Sequence, residues 1–416
     1  MSALESSAGA PAPPWTCPFC PLLCDTFGVD TAAGAWALRG SDCHRAQAAL
    51  ARFGAAAPSA APQIDGSVCD LDAAVAAAAR ILAASRQPLF GGLGTDVAGA
   101  RALYPLASRT GAICDAASGP VLWHGLRALQ DRGGFTTTLA EVRTRADLIV
   151  CLGALPIERF PEFLRRCGVG EGSAAQVVVV QSAAESDPAS APAGIEILRF
   201  EGDLFDAAAM LAAQVAGRAV GAPDGPFAAL AARLHAARYA VLVYETPRLP
   251  AHGALFVEAV NRVVATLNVR SRAAALPLGG IDGASTVNAV FTWLSGLPLR
   301  TRAAPGGLEH EPLRFDAQHL LDDHAVDALL WIASYGTEPA PPAVDLPRIV
   351  LGHPSFAAAA QGAATVFIPV STPGIGSAGH LFRTDGVVLM PLSSIRDDGL
   401  PGVAEVLGRI TRELGA

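Results

Sequence analysis

Read for its apolar and polar positions, the chain alternates strand-length apolar runs with Ala-rich helical stretches over most of its length. The runs QVVVVQ, RYAVLVYE, DALLWIAS, PRIVLG and ATVFIPV are almost free of polar interruption, and PLFGGLG and ADLIVCLG join them. Strands this apolar are buried on both faces, the pattern of parallel sheets covered by helices. Several runs end in Gly, Pro or small polar residues, and ligands of such sheets sit at the carboxyl ends of strands. Between the strands, Asp70 is placed to N-cap the helix LDAAVAAAARILAASR, VAGARALYPLASRT reads as a second helix, and AIC as a short strand. Thr138 and Glu141 have the spacing of a capping box ahead of EVRTR. The softest composition shifts fall near residues 56–67, 183–194 and 217–226, and no short internal repeat is visible. The pattern predicts an α/β fold with doubly wound, mostly parallel sheets.

Composition bounds this picture. With 416 residues, 51% of them hydrophobic, the chain can bury a large core and should form two or three domains. A net charge of −8 and the absence of any basic run argue against nucleic acid or an anionic membrane surface as partner. All 30 basic residues are Arg, which reads as genome composition bias. Residues 1–14 lack the basic and apolar regions of a signal peptide and read as a disordered tail. No apolar stretch is long and unbroken enough to span a bilayer, so the expectation is a soluble, cytoplasmic protein.

Eight cysteines in such a protein are poor candidates for a disulfide framework. Cys69, Cys114, Cys151 and Cys167 are scattered in Ala-rich sequence and read as small buried hydrophobes. Cys17, Cys20, Cys24 and Cys43 are different. A C-x-x-C-x-x-x-C triple with a fourth thiol nineteen positions on can grip three corners of a 4Fe–4S cubane and then the last. A closed four-thiolate zinc site is the first alternative, although zinc more often uses two separated C-x-x-C knuckles. An empty vestige is the second. His44, next to Cys43, reads as a surface residue.

CPFCPLLCD followed by SDCHRA resembles the opening of the B-type subunit of formylmethanofuran dehydrogenase, in the molybdopterin oxidoreductase superfamily. The resemblance continues in order through GLGTDVAGARALYPLASRTGAICDAA, LRALQDRGGFTTTLAEVRTRADLIVCLG, VNAVFTWLSGLPLR, HLLDDHAVDALLWIASYG and VFIPVSTPGIGSAGHLFRTDGVVL. It implies a cysteine-rich segment over 15–63, a discontinuous α/β domain over 64–116 and 277–370, and a second α/β domain over 117–276. A terminal block, 371–416, would pack near the N-terminal segment, and the C-terminal β-barrel module of the wider superfamily would be lacking. It also implies a 4Fe–4S cluster on Cys17, Cys20, Cys24 and Cys43.

The departures from the family pattern redirect the function. A Cys or selenocysteine that ligates tungsten or molybdenum directly precedes a His-Gly pair in the redox enzymes. Here SGPVLWHG puts Trp123 in that place, before His124 and Gly125. An indole N–H only donates, so Trp123 offers a metal no lone pair. The family's Gly-x-Asn-Pro is reduced to GALP (Gly153 to Pro156), and VVVVQSAAESDP places Gln181 and small residues where an Asp and an Arg-rich loop would handle the nucleotide. The expectation is a degenerate site around Trp123 and His124, without molybdopterin guanine dinucleotide or its metal. A redox-inactive scaffold fits this, similar to the B-type subunit of the formyltransferase/hydrolase complex of methylotrophic bacteria. Its partners would then be the A, C and formyltransferase-like subunits, in formaldehyde/formate one-carbon metabolism. An active tungsten or molybdenum dehydrogenase subunit is the alternative, and a nucleotide regulator in the old pterin cleft a third.

Other candidates carry less. GGLGTDVAG (91–99) could cradle a phosphate, but matches no GxGxxG and, without Lys, no P-loop; a tight turn is the plainer role. His310, His319 and His324 lie among acids without a zinc-hydrolase spacing, and read as a solvated face. Ser377 and His380 in GIGSAGH do not make a nucleophile elbow.

Overall fold

The computed structural model describes residues 14–31, 36–54, 61–185, 192–280, 283–336, 340–358, 360 and 362–415. The expected tail over 1–14 therefore falls almost wholly outside the described residues, as do 186–191 of the loop after QVVVVQ.

Two sheets organise the chain. The larger runs in the order Gly307–His310, Thr301–Ala304, Ile113–Cys114, Pro88–Gly94, Ala328–Ala333, Arg348–Gly352, Thr365–Pro369, Gln63–Ile64 and Ser67–Val68. Its five central strands are parallel and its two edge hairpins antiparallel. The smaller sheet is parallel throughout, in the order Arg272–Leu278, Tyr239–Glu245, Leu148–Leu152, Gln176–Ser182 and Glu196–Phe200. The chain leaves the first sheet at Cys114, builds the second through Leu278, and returns at Thr301. The strand Arg272–Leu278 runs past the boundary expected after residue 276. Its Ala-rich sequence hid it, and Pro277 is tolerated because the strand lies at the sheet edge.

Helices cover the sheets by burying small-residue faces. Leu71–Ala84 starts at Asp70, whose carboxylate accepts the Ala73 N–H at 2.7 Å. Together with Val97–Thr110, Ala284–Ser295 and Val403–Glu413 it packs one face of the first sheet through Ala78, Leu103, Val287 and Val406. On the second sheet, Leu204–Val215, Pro226–Ala236 and Gly253–Leu267 take one face. The other face receives the helix Leu139–Arg145 and the cysteine-rich segment itself, with Trp15, Phe27, Leu50 and Phe53 in the same core as Ile149, Val177 and Val241.

Two local expectations change. Thr138 caps the helix Leu139–Arg145 by accepting from the Glu141 N–H at 3.1 Å, but the Glu141 carboxylate accepts from Thr137 Oγ1, so the box is half made. The terminal block also divides. Ile375 packs into the core of the cysteine-rich segment and Trp15 Nε1 donates to the Gly374 carbonyl, whereas the helix Val403–Glu413 lies on the first sheet. Its apolar stripe of Val406, Leu407 and Ile410 finds its complement there and not beside the cysteines.

Asp96 N-caps Val97–Thr110 from a buried position, accepting from Gly99 N–H at 2.9 Å and from His380 N–H at 3.4 Å. We expect Asp96→Ala to cost about 1–2 kcal/mol in urea unfolding, the range for losing a helix cap. An unchanged midpoint would remove the cap from the account of this turn.

Candidate functional site

The cysteine-rich segment brings its four thiols to one place. Cys17, Cys20, Cys24 and Cys43 line a single cavity of about 10 Å³, with Phe19, Leu22, Phe27, Arg45 and Glu162 in its wall. The turn that gathers them is local: Cys17 N–H donates to the Cys24 carbonyl and Leu23 N–H to the Cys20 carbonyl, with Leu23 itself at φ +43°. Cys43 stands one residue before the helix His44–Gly54, and His44 is exposed.

Burial governs the chemistry of these thiols. It pushes the Cys17 thiol well up, Cys20 to about 11, Cys24 to about 12, and Cys43 upward. Main-chain N–H groups of Phe19 at Cys17, Leu22 at Cys20, and Ala46 and Arg45 at Cys43 work in the opposite direction by favouring the thiolate. Near neutral pH the thiols are protonated until a cation replaces the protons. Among the described residues no group of three or more His, Cys, Asp or Glu side chains stands in metal-holding geometry. The chemistry of the donor set, four sulfurs with main-chain N–H groups at three of them, is that of a thiolate-held centre.

The loop after the strand Leu148–Leu152 closes over the cavity from 114 to 141 residues away along the chain. Ser41 Oγ donates to Glu162 Oε1 at 2.5 Å, Arg166 Nη1 to Asp25 Oδ1 at 2.5 Å, and Cys20 Sγ lies 4.0 Å from the Arg159 carbonyl. Arg159 also reaches Glu245, at the carboxyl end of the neighbouring strand, at 3.6 Å. Burial raises Glu245, and Arg248 and Arg159 pull it back. Sequence reasoning singled out GALP at the start of this loop but not Arg159 and Glu162, which IERFPEF does not mark with any motif.

Trp123 and His124, where the sequence led us to expect a degenerate site, lie on the helix Gly119–Arg132. Trp123 is half-buried, its ring 6.2 Å from that of His310 at 62°. His124 rests on the main chain of Gly253, where an added Cβ would lie 2.8 Å from its ring. Burial lowers the His124 pKa, and Arg300 and His252 lower it further. Beneath the helix lies a network the sequence did not announce. Arg300, in left-handed conformation at φ +62°, ion-pairs Asp115 at 3.2 Å and Asp316, and donates to the Pro312 carbonyl at 2.6 Å. A Cβ at Gly119 would lie 2.5 Å from both Asp115 oxygens, so the helix start presses directly onto this carboxylate. Cys114, nine positions before Trp123, is fully buried at the end of its strand.

Hydrogen bonds within the chain tie the strand ends of the first sheet to neighbouring loops. Ser334 Oγ donates to the Gly94 carbonyl at 2.7 Å, Thr372 Oγ1 to the Ser334 carbonyl at 2.5 Å, and Phe382 N–H to Thr286 Oγ1 at 3.0 Å. In GGLGTDVAG, Gly92 (φ +73°) leaves room for Trp331, which would meet a Cβ there at 2.8 Å, so close packing explains the glycines. His310 bonds Thr301, His319 lies 3.3 Å from the Leu313 carbonyl and His324 is exposed, without a shared point among the three.

Two helix-covered, mostly parallel sheets and a cysteine-headed segment packed on the second define an α/β protein of two-sheet, cysteine-capped architecture. No known family profile matches the chain. A chain of the crystal structure of the formyltransferase/hydrolase complex from Methylorubrum extorquens, in complex with methylofuran, superposes with a TM-score of 0.75 at 31% identity, covering 85% of this chain and 98% of that one. The B-type subunit of the formyltransferase/hydrolase complex from the same organism is 33% identical over 325 residues, 77% of this chain and 87% of the relative. The B-type subunit of a tungsten-containing formylmethanofuran dehydrogenase from Methanocaldococcus jannaschii is 23% identical over 402 residues, 89% of this chain and 91% of that relative. The chain belongs to the family of B-type subunits of the formyltransferase/hydrolase complex, related in turn to those of formylmethanofuran dehydrogenase. No described helix is long and apolar enough to cross a membrane.

Proposed function

We propose that this chain is a redox-inactive scaffold subunit of a formyltransferase/hydrolase complex in one-carbon metabolism. It holds A, C and formyltransferase-like partner subunits, which carry the formyl-transfer and hydrolysis chemistry. The observation that carries the reading is Trp123. By the family resemblance its indole stands where the redox enzymes have a thiolate or selenolate, on a helix whose start presses on a buried carboxylate. A tungsten or molybdenum pterin does not fit these residues, since the position offers a metal no lone pair. No step is routed through such a centre.

The cysteine pocket takes a 4Fe–4S cluster held by Cys17, Cys20, Cys24 and Cys43, and the cluster serves folding of the N-terminal segment. It would supply one-electron chemistry in a relative, but here it has no redox centre to feed. Four convergent thiols with main-chain N–H donors support it.

The native complex, purified without oxygen, tests the reading. Tungsten and molybdenum far below one per chain and background viologen-linked formyl oxidation are expected, with partner subunits co-purifying. Stoichiometric metal on a pterin would sink the scaffold reading in favour of a dehydrogenase.

A further inference from the structure

Two charged side chains, Arg45 and Glu162, stand in the wall of the cysteine pocket. Glu162 is paired with Arg165, and Asp25 with Arg166. Arg45, two residues after Cys43 and half-buried in the same wall, has no carboxylate partner among the described residues. Its Nη1 donates to the Arg159 carbonyl and its Nη2 to the Phe19 carbonyl, each at 3.2 Å. One guanidinium thus ties the turn that carries Cys17 and Cys20 to the loop that closes the cavity. A half-buried cation bonded only to carbonyls loses hydration without gaining an ion pair. Four thiolates around a divalent core carry a net charge of about −2, which a buried site must compensate.

We propose that Arg45 is the latch of this pocket, a positioning residue that fastens the closing loop to the cysteine turn and supplies the counter-charge for an anionic thiolate–metal centre. The proposal rests on the reading that the pocket takes up a metal centre. It adds which residue retains that centre. Arg45 also joins the centre to the second sheet, because the residue it grips, Arg159, pairs with Glu245 at the end of the strand Tyr239–Glu245.

The test compares wild type, Arg45→Lys, Arg45→Gln and Arg45→Met as full chains, loaded anaerobically with ferrous iron and sulfide and then challenged with a chelator. Arg45→Met should release iron at least tenfold faster than wild type and lose the loading-induced hydrogen-exchange protection of residues 155–166. Arg45→Lys keeps the charge and should fall between them. Arg45→Gln keeps donors without charge, separates latch from counter-charge, and carries the test if Arg45→Met fails to fold. Release from Arg45→Met and Arg45→Gln at the wild-type rate overturns the proposal. A wild type that refuses iron but takes one zinc per chain ends the cluster reading alone, and the latch is then read from zinc release. A wild type that takes neither overturns both.

Discussion

Arg300→Ala should destabilise the protein by about 3–5 kcal/mol, the cost of removing one partner from a buried ion pair and leaving the other charged. The expectation is large because two carboxylates depend on this guanidinium. Asp115 and Asp316 are 2% and 8% exposed, and beside Arg300 the Asp115 Oδ2 accepts from the Ala317 N–H at 3.0 Å. Burial already lifts Asp115 to about 6 despite Arg300, which draws it down. The sign follows from that. A carboxyl raised above its unfolded value binds more protons in the folded state, so wild-type stability from this group falls as pH rises from the ordinary carboxylate range through about 6. Without Arg300 the folded value rises further, and the loss should be smaller at pH 5 than at pH 8. Urea unfolding at both values measures it. A variant as stable as wild type at pH 8 would mean that the carboxylates find water or another partner.

The same network marks where sequence reasoning stops. Strand-length apolar runs such as LIVCL and TVFIP were legible because burial on both faces leaves no other pattern open. The helix Val97–Thr110 was legible to the residue, with a cap before it and Gly111 after it in left-handed conformation. The strands Glu196–Phe200 and Arg272–Leu278 were not, one carrying charged positions, the other a short alanine run with a proline. Trp123 was singled out only because the family resemblance names a different residue for that place. The Arg300 network could not be found from the sequence, since Arg300 and Asp115 stand 185 residues apart and meet through a fold whose topology must be known first. The cysteine spacing announced four donors, but neither Arg45 nor the Arg159–Glu162 loop belongs to that spacing. Local chemistry is written in the sequence, whereas the charges that balance it arrive through packing.

Cys24→Ser should abolish loading of the cysteine pocket and with it most of the stability gap between loaded and metal-free protein. The gap itself should be several kcal/mol, since metal ligation where no preformed site exists is folding free energy, and structural thiolate sites reach on the order of 10 kcal/mol in small domains. Here part of that work is already done by apolar burial: Trp15, Leu22, Phe27 and Leu50 lie at or below 5% exposure and hold the segment on the second sheet without a metal. Metal-free Cys24→Ser should therefore unfold within about 1 kcal/mol of metal-free wild type, the scale of one small buried substitution. The pH dependence runs through the thiols. Burial holds Cys20 at about 11 and Cys24 at about 12, so loading near neutral pH expels protons and affinity should weaken as pH falls. Anaerobic denaturant titrations of the four species, at two pH values, read both effects. If the loaded wild type and Cys24→Ser unfold at the same denaturant concentration, the pocket contributes no ligation energy. The N-terminal segment would then stand on its apolar packing alone.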